Sequence, residues 1–73
     1  MGSKYPVLKP REIIRTLEEF GFQFVSQNGS HLKYSNGKRI TIIPNHREVA
    51  KGTLQSILEL AGVDLESFLE KLK

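Results

Sequence analysis

The residues best suited to chemistry in this chain lie in the stretch Gly29-Ser30-His31-Leu32-Lys33-Tyr34. A Gly-Ser turn would deliver His31 to the first position of a short strand, with Lys33 on the same face two residues later. Imidazole gives and takes protons at neutral pH, because its ordinary pKa is about 6.5. His31 is therefore the first candidate for acid–base catalysis, although a lone histidine at a strand start is more often a surface or turn residue.

The elements that must position this stretch can be followed from its apolar spacing. Residues 10–21 predict an amphipathic helix, which begins with Pro10 and ends at Gly21. Three strands over residues 22–27, 30–35 and 38–43 follow, separated by Asn28-Gly29 and Asn36-Gly37. These dipeptides are strong hairpin signals, so the three strands are predicted to form an antiparallel meander.

Alternation along the strands predicts one apolar face and one polar face of the sheet. The apolar face, which needs a covering helix, would carry Leu32, Tyr34, Ile40 and Ile42. The opposite face would gather His31, Lys33, Arg39 and Thr41. We expect any functional chemistry on that second face or at its rim.

Two further helices are predicted after the sheet. Thr53 is the expected N-cap of the first, whose buried stripe would be Leu54, Ile57, Leu58 and Ala61. Asp64 is the expected cap of an appended C-terminal helix over residues 64–73, whose apolar stripe packs within the chain or is offered to a partner, packing being favoured. The order predicts an α+β two-layer sandwich, α-β-β-β-α with an additional C-terminal helix, as in double-stranded-RNA-binding domains.

The size and composition narrow the class of protein. Seventy-three residues predict a single domain over 1–73, with Met1-Gly2-Ser3 read as the remnant of an expression tag. The chain has no cysteine, no apolar run long enough to span a membrane and no signal-peptide pattern. We therefore expect a cytoplasmic protein that does not act at a membrane.

The charge is distributed unevenly along the chain. Residues 1–51 carry nine Lys or Arg against four Glu, whereas residues 52–73 carry two Lys against four acids. No carboxylate occurs from Phe22 to Arg47, a segment that contains Lys33, Lys38, Arg39 and Arg47. Four cations alone fit an ordinary solvated surface, but they share their segment with His31, which favours contact with a polyanion.

Short motifs recur along the chain in a fixed order from about Lys9 to Val63. They are Lys9-Pro10-Arg11-Glu12-Ile13-Ile14, Gly21-Phe22, Gly29-Ser30-His31, the strand from Gly37 to Pro44, Lys51-Gly52-Thr53-Leu54, Ile57-Leu58 and Ala61-Gly62. This ordered set resembles the HicA (YcfA-like) mRNA interferase toxins of bacterial toxin–antitoxin systems. It implies a toxin that cleaves mRNA without the ribosome and is neutralised by a HicB-type antitoxin covering the active site.

The resemblance implies that His31 is the catalytic residue. Many members of the family have a second histidine directly after it, where this chain has Leu32, and often one after the third strand, near His46. Neutral imidazole can take the proton of a ribose 2′-OH, with Lys33, or else Arg39, stabilising the phosphate charge. The residues expected to contact RNA are Ser30, Lys33, Arg39, His46, Arg47 and Lys51.

Two alternatives to an endonuclease remain open from the sequence. One is a non-catalytic RNA-binding module of the same fold, and the other is a degenerate toxin that only binds its antitoxin. No cofactor is expected, and no metal site, because no histidines or carboxylates recur at ligand spacing. The free chain is expected to be a monomer that forms a hetero-oligomer with its antitoxin.

Overall fold

A computed structural model describes residues 5–72, so the expected tag remnant at residues 1–3 lies outside the described residues. The element order is α1 (Pro10–Glu18), β1 (Gln23–Asn28), β2 (His31–Ser35), β3 (Ile40–Pro44), α2 (Lys51–Ala61) and α3 (Leu65–Leu72). This order confirms the predicted α+β class, with helix, three strands, helix and an additional C-terminal helix.

The three strands form one antiparallel sheet in the order β1-β2-β3. Asn28 lies opposite His31, so Gly29 and Ser30 are the two residues of the hairpin loop. The β1–β2 register shifts between Phe24 and Ser26, which marks a β-bulge. The predicted meander is therefore confirmed.

The predicted faces of β3 are wrong. Ser35 lies opposite Ile40, because residues 36–39 form a four-residue loop in which Oδ1 of Asn36 accepts the backbone N–H groups of Lys38 and Arg39. This register sets Thr41 opposite Tyr34 and Ile43 opposite Leu32. Thr41 and Ile43 are accordingly buried, whereas Ile40 is half exposed.

Burial of Thr41 is possible because its hydroxyl has a partner in α2. Oγ1 of Thr41 donates to the carbonyl oxygen of Ile57 at 2.8 Å. A buried hydroxyl without such a partner would cost free energy, so this hydrogen bond ties β3 to the helix that covers it. Thr41 therefore belongs to the core and not to the face that carries His31.

The core lies between the sheet and the helices, with α2 packed on β3 and α1 against α3 and β3. The predicted stripe of α2 is buried, and Phe68 of α3 is fully buried, so α3 packs within the chain as favoured. The buried apolar residues are Leu8, Ile13, Leu17, Phe22, Tyr34, Ile43, Val49, Leu54, Ile57, Leu58, Ala61 and Phe68.

The two predicted caps have different outcomes. Asp64 does cap α3, because its carboxylate accepts the backbone N–H and the hydroxyl of Ser67 at 3.0 and 2.9 Å. Thr53 does not cap α2, because that helix begins at Lys51 with Ala50 at the N-cap position. Ala50 offers no side-chain acceptor, and its carbonyl oxygen accepts the N–H of Leu54. Within residues 5–72, no helix is both long enough and apolar enough to cross a bilayer.

Candidate active site

His31 is the first residue of β2 and lies at the end of the sheet next to the Gly29-Ser30 turn. Its neighbours across the two ladders are Asn28 of β1 and Pro44 of β3. Paired residues share a face, and Leu32 and Tyr34 point toward the helices, so His31 points to the uncovered face of the sheet. The imidazole is exposed and open to a ligand in solution.

Lys33 shares this uncovered face with His31, as the alternation predicted. Two residues along a strand span roughly 7 Å, so the long lysine side chain can reach a group bound at the imidazole. Lys33 is half-buried and lies opposite Ile42 of β3 and Ser26 of β1. Its position is therefore held by both neighbouring strands.

The turn that delivers His31 depends on Gly29. Gly29 takes φ 64°, whereas no other type of residue among 5–72 has a positive φ, so Ser30 turns with a negative φ. Glycine at the first position of a two-residue loop matches the twist of antiparallel strands without steric cost. The side-chain amide of Gln27 also donates to the carbonyl oxygen of Gly29 at 2.9 Å. The start of β2 is thus fixed by local geometry.

The connection between β3 and α2 is tied down at both ends. The N–H of Asn45 donates to the carbonyl oxygen of Ser30 at 2.6 Å, and the N–H of Val49 donates to that of Leu8 at 2.7 Å. Leu8 and Val49 also form an isolated antiparallel bridge. The first tie leads to the His31 turn and the second to the N-terminal arm, so residues 46–48 are held between these two segments.

His46 is brought to the same turn by these ties. Its Nε2 lies 3.5 Å from Oγ of Ser30, the residue directly before His31. The contact is long for a hydrogen bond, and either atom can be the donor. The structure therefore places both histidines of the chain beside the Gly29-Ser30 turn, which the sequence spacing of fifteen residues did not reveal.

Arg39 is not brought to His31. It precedes β3 at the opposite end of the sheet, where Ile40 pairs with Ser35. Its guanidinium lies beside Gly62, at the C-terminal end of α2. The two are so close that a Cβ atom added to Gly62 would lie 2.9 Å from Nε of Arg39. The prediction that Arg39 and Thr41 share a face with His31 is wrong for both residues.

Arg47 and Lys51, the remaining residues predicted to contact RNA, lie in different segments. Arg47 follows His46 in the tied connection and is exposed, whereas Lys51 is the exposed first residue of α2. Lys9 and Arg11 were not among the predicted site residues, yet they line a cleft together with Asn45, His46 and Arg47. The bridge between Leu8 and Val49 ties the arm to this connection, and no sequence signal identifies that bridge.

Tyr34 of β2 and Asp64, which caps α3, have displaced pKa values. Burial, with the nearby Glu18 carboxylate second, raises the pKa of Tyr34. The backbone N–H of Ser67, followed by its hydroxyl, lowers the pKa of Asp64. Among residues 5–72, no three His, Cys, Asp or Glu side chains are grouped so that they could hold a metal ion. The titratable side chains that the structure places beside the Gly29-Ser30 turn are the imidazoles of His31 and His46.

Comparison with known proteins addresses the family directly. The profile of a family described as HicA toxin of bacterial toxin-antitoxin matches residues 10–63, which spans α1 to the end of α2. The chain belongs to the HicA toxin family. This confirms the family resemblance, and membership implies an antitoxin partner. A search of curated proteins gave no match.

Proposed function

We propose that this HicA-family chain is an mRNA endonuclease that cleaves single-stranded RNA by acid–base catalysis at His31. The observation that carries the proposal is that His31 and His46 both adjoin the exposed Gly29-Ser30 turn, in a segment without carboxylates, while Lys33 follows two residues later on the same strand face as His31. Exposure matters because the scissile phosphate of a long polymer must reach the imidazole from solution. The exposed position of His31 gives a long RNA strand this access.

His31 acts as the general base in the proposed reaction. Neutral imidazole takes the proton of a ribose 2′-OH, and the 2′ oxygen attacks the adjacent phosphorus. The bond from phosphorus to the 5′ oxygen breaks, which leaves a 2′,3′-cyclic phosphate on one fragment. The departing 5′ oxygen needs a proton to become a hydroxyl.

His46 supplies that proton in the proposal. Its ring is held beside Ser30, the residue directly before His31, by the 3.5 Å contact with Oγ of Ser30 and by the backbone hydrogen bond of Asn45. Two imidazoles at one phosphate, one neutral and one protonated, divide the base and acid roles. His46 ends the step neutral and His31 ends it protonated, so a proton exchange with water restores the starting state.

Lys33 provides the positive charge that the pentacoordinate phosphate requires. Extra negative charge develops on the non-bridging oxygens during the attack, and an ammonium group on the same face stabilises it. Lys33 is the best-placed candidate because it shares its strand face with His31, whereas Arg39 lies at the far end of the sheet. Ser30 and Arg47 contact neighbouring parts of the RNA backbone, and Lys51 contacts more distant phosphates.

The proposed setting is the bacterial cytoplasm, where mRNA is exposed. The free chain acts as a monomer, and a HicB-type antitoxin forms a hetero-oligomer with it and covers the His31 turn. The uncovered sheet face supports this proposal, because a partner can lie over His31 and Lys33 without displacing a helix.

The test is incubation of the chain with a long single-stranded RNA in the presence of a metal chelator, followed by identification of the fragment ends. We expect fragments with cyclic phosphate and 5′-hydroxyl ends from the parent and from Lys38→Ala, whose exposed lysine lies in the loop at the opposite end of β2. His31→Ala should lose at least about a hundredfold in rate. Equal cleavage by His31→Ala would contradict the assignment, and intact RNA bound by folded parent would identify a non-catalytic RNA-binding module.

A further inference from the structure

A cleft of about 220 Å³ adjoins the His31 turn on the side of the N-terminal arm. It is lined by Lys9, Pro10, Arg11, Asn45, His46 and Arg47. These residues come from two segments, the start of α1 and the connection after β3, which meet through the bridge between Leu8 and Val49. Space for one water molecule is roughly 10–15 Å³, so the cleft has room for a phosphate group with its first waters.

The cleft is strongly cationic. Lys9, Arg11 and Arg47 contribute three positive charges, and its lining contains no carboxylate. Two acidic residues adjoin the lining in sequence without being part of it: Glu12, whose carboxylate accepts the backbone N–H of Lys9 at 2.9 Å, and Glu48, which is exposed next to Arg47. Within residues 5–72, no hydrogen bond or ion pair engages the side chains of Arg11 and Arg47. These guanidinium groups are therefore available to an anion.

Backbone hydrogen bonds hold in place the two segments that carry these cations. Pro10 is buried at the first turn of α1, and the N–H of Val49 donates to the carbonyl oxygen of Leu8 directly before Lys9. The other wall is held where the N–H of Asn45 donates to Ser30 at 2.6 Å. Both walls are thus fixed to the body of the protein by backbone contacts, which reduces the ordering that binding must impose.

We propose that this cleft binds a phosphate of the RNA strand that flanks the scissile phosphate. The inference rests on the proposed cleavage at His31, because His46 belongs to both places: it lines the cleft and lies 3.5 Å from Ser30. A strand whose scissile phosphate lies between His31 and His46 continues into the cleft on one side. The planar guanidinium groups of Arg11 and Arg47 suit bidentate contact with phosphate oxygens. The cleft therefore sets the path of the strand and holds the scissile bond in place.

The test measures RNA binding apart from cleavage. Arg11→Gln, Arg47→Gln and the double variant are made in the His31→Ala chain, and binding of a fluorescent single-stranded RNA is followed by anisotropy at several salt concentrations. We expect about a tenfold loss of affinity in the double variant. The slope of log affinity against log salt concentration should fall by the amount that corresponds to about one phosphate contact. Matched controls are Arg15→Gln, on a different part of α1, and Lys38→Gln, in the loop after β2; both should bind like the His31→Ala parent.

A second readout locates the phosphate along the RNA. Single phosphates near the mapped cleavage point are replaced by uncharged methylphosphonates. One flanking replacement should weaken binding to the His31→Ala chain but cause no further loss in the double variant. Equal binding by the double variant and the controls, or a loss of antitoxin binding alone, would overturn the subsite. If the parent never cleaves but binding still depends on Arg11 and Arg47, the cleft survives as an RNA site while the cleavage proposal fails.

Discussion

The backbone N–H of Asn45 donates to the carbonyl oxygen of Ser30 at 2.6 Å, which joins the end of β3 to the turn before His31. Pro44, the residue opposite His31, has no N–H to donate, so Asn45 carries the first donor beyond it. This hydrogen bond holds the connection after β3 next to the β1–β2 turn. His46, the next residue, therefore lies beside that turn as well. The relation between Asn45 and Ser30 explains how two histidines on separate segments come to lie beside one turn.

Ser30→Ala tests whether the hydroxyl positions His46. The backbone tie to Asn45 survives this change, but the contact between Oγ and Nε2 of His46 is lost. We expect kcat to fall about tenfold, equivalent to roughly 1.4 kcal/mol, with a small change in KM and no change in the circular dichroism spectrum. Ser56→Ala, an exposed serine of α2, is the matched control. Unchanged kcat in Ser30→Ala would show that the hydroxyl does not position the acid.

His46→Ala tests the division of base and acid roles through the pH profile. The base must be neutral and the acid protonated, so the parent should show a bell-shaped dependence of rate on pH. Loss of the acid should lower the rate about a hundredfold and flatten the alkaline limb, since no group need then stay protonated. A substrate with a better leaving group than a 5′ hydroxyl should recover most of the rate. A full bell in His46→Ala would assign the alkaline limb to another group.

The class of the fold follows from local signals in the sequence. Gly29 and Gly62 occupy positive-φ positions, Asp64 caps α3, and the α2 stripe is buried as its spacing predicts. His31 and Lys33 share a face because side chains in a regular strand alternate. These features depend on residues close together in the chain, which is why the pattern alone predicts them.

The features that sequence reasoning missed depend on long-range contacts. Thr41 faces the core and Ile40 faces solvent, the reverse of the prediction, because the length of the loop at residues 36–39 sets the register of β3. Burial of Thr41 also depends on Ile57, whose carbonyl oxygen accepts its hydroxyl. The cleft containing Arg11 depends on the bridge between Leu8 and Val49, two residues far apart in sequence. Neither contact has a periodic signature.

Arg39→Ala and Lys33→Ala separate the two cations that the sequence treated as alternatives. Lys33→Ala should lower kcat about tenfold to a hundredfold, because its charge faces the reacting phosphate. Arg39→Ala should leave kcat unchanged and cost at most about 1 kcal/mol of stability, because its guanidinium lies at the C-terminal end of α2. Initial rates and urea unfolding measure the two effects. A large loss of kcat in folded Arg39→Ala would contradict this separation.

Thr41→Val tests the hydrogen bond that fixes the inward face of β3. Valine has nearly the same shape as threonine, so the change removes the 2.8 Å donation to Ile57 without opening a cavity. We expect the free energy of unfolding to fall by about 1 kcal/mol, with an unchanged m-value in urea and unchanged cleavage by the folded protein. Thr53→Val is the control, since Thr53 is exposed and does not cap α2. Equal stability of Thr41→Val and parent would show that the buried hydroxyl contributes nothing.

Asp64→Ala tests the cap of α3 through the pH dependence of stability. The donors of Ser67 lower the pKa of Asp64 in the folded protein, so the folded state binds its proton less readily than the unfolded state does. The stabilisation is complete above the ordinary carboxyl pKa of about 3.9 and is lost as the pH falls through the lower folded value. At neutral pH the variant should melt a few degrees below the parent, and this difference should shrink in acid. Thermal unfolding at a series of pH values measures it, with Glu66→Ala as the control in the first turn of the same helix. A difference in Tm that stays constant down to strongly acid pH would show that the carboxylate charge does not contribute to the cap.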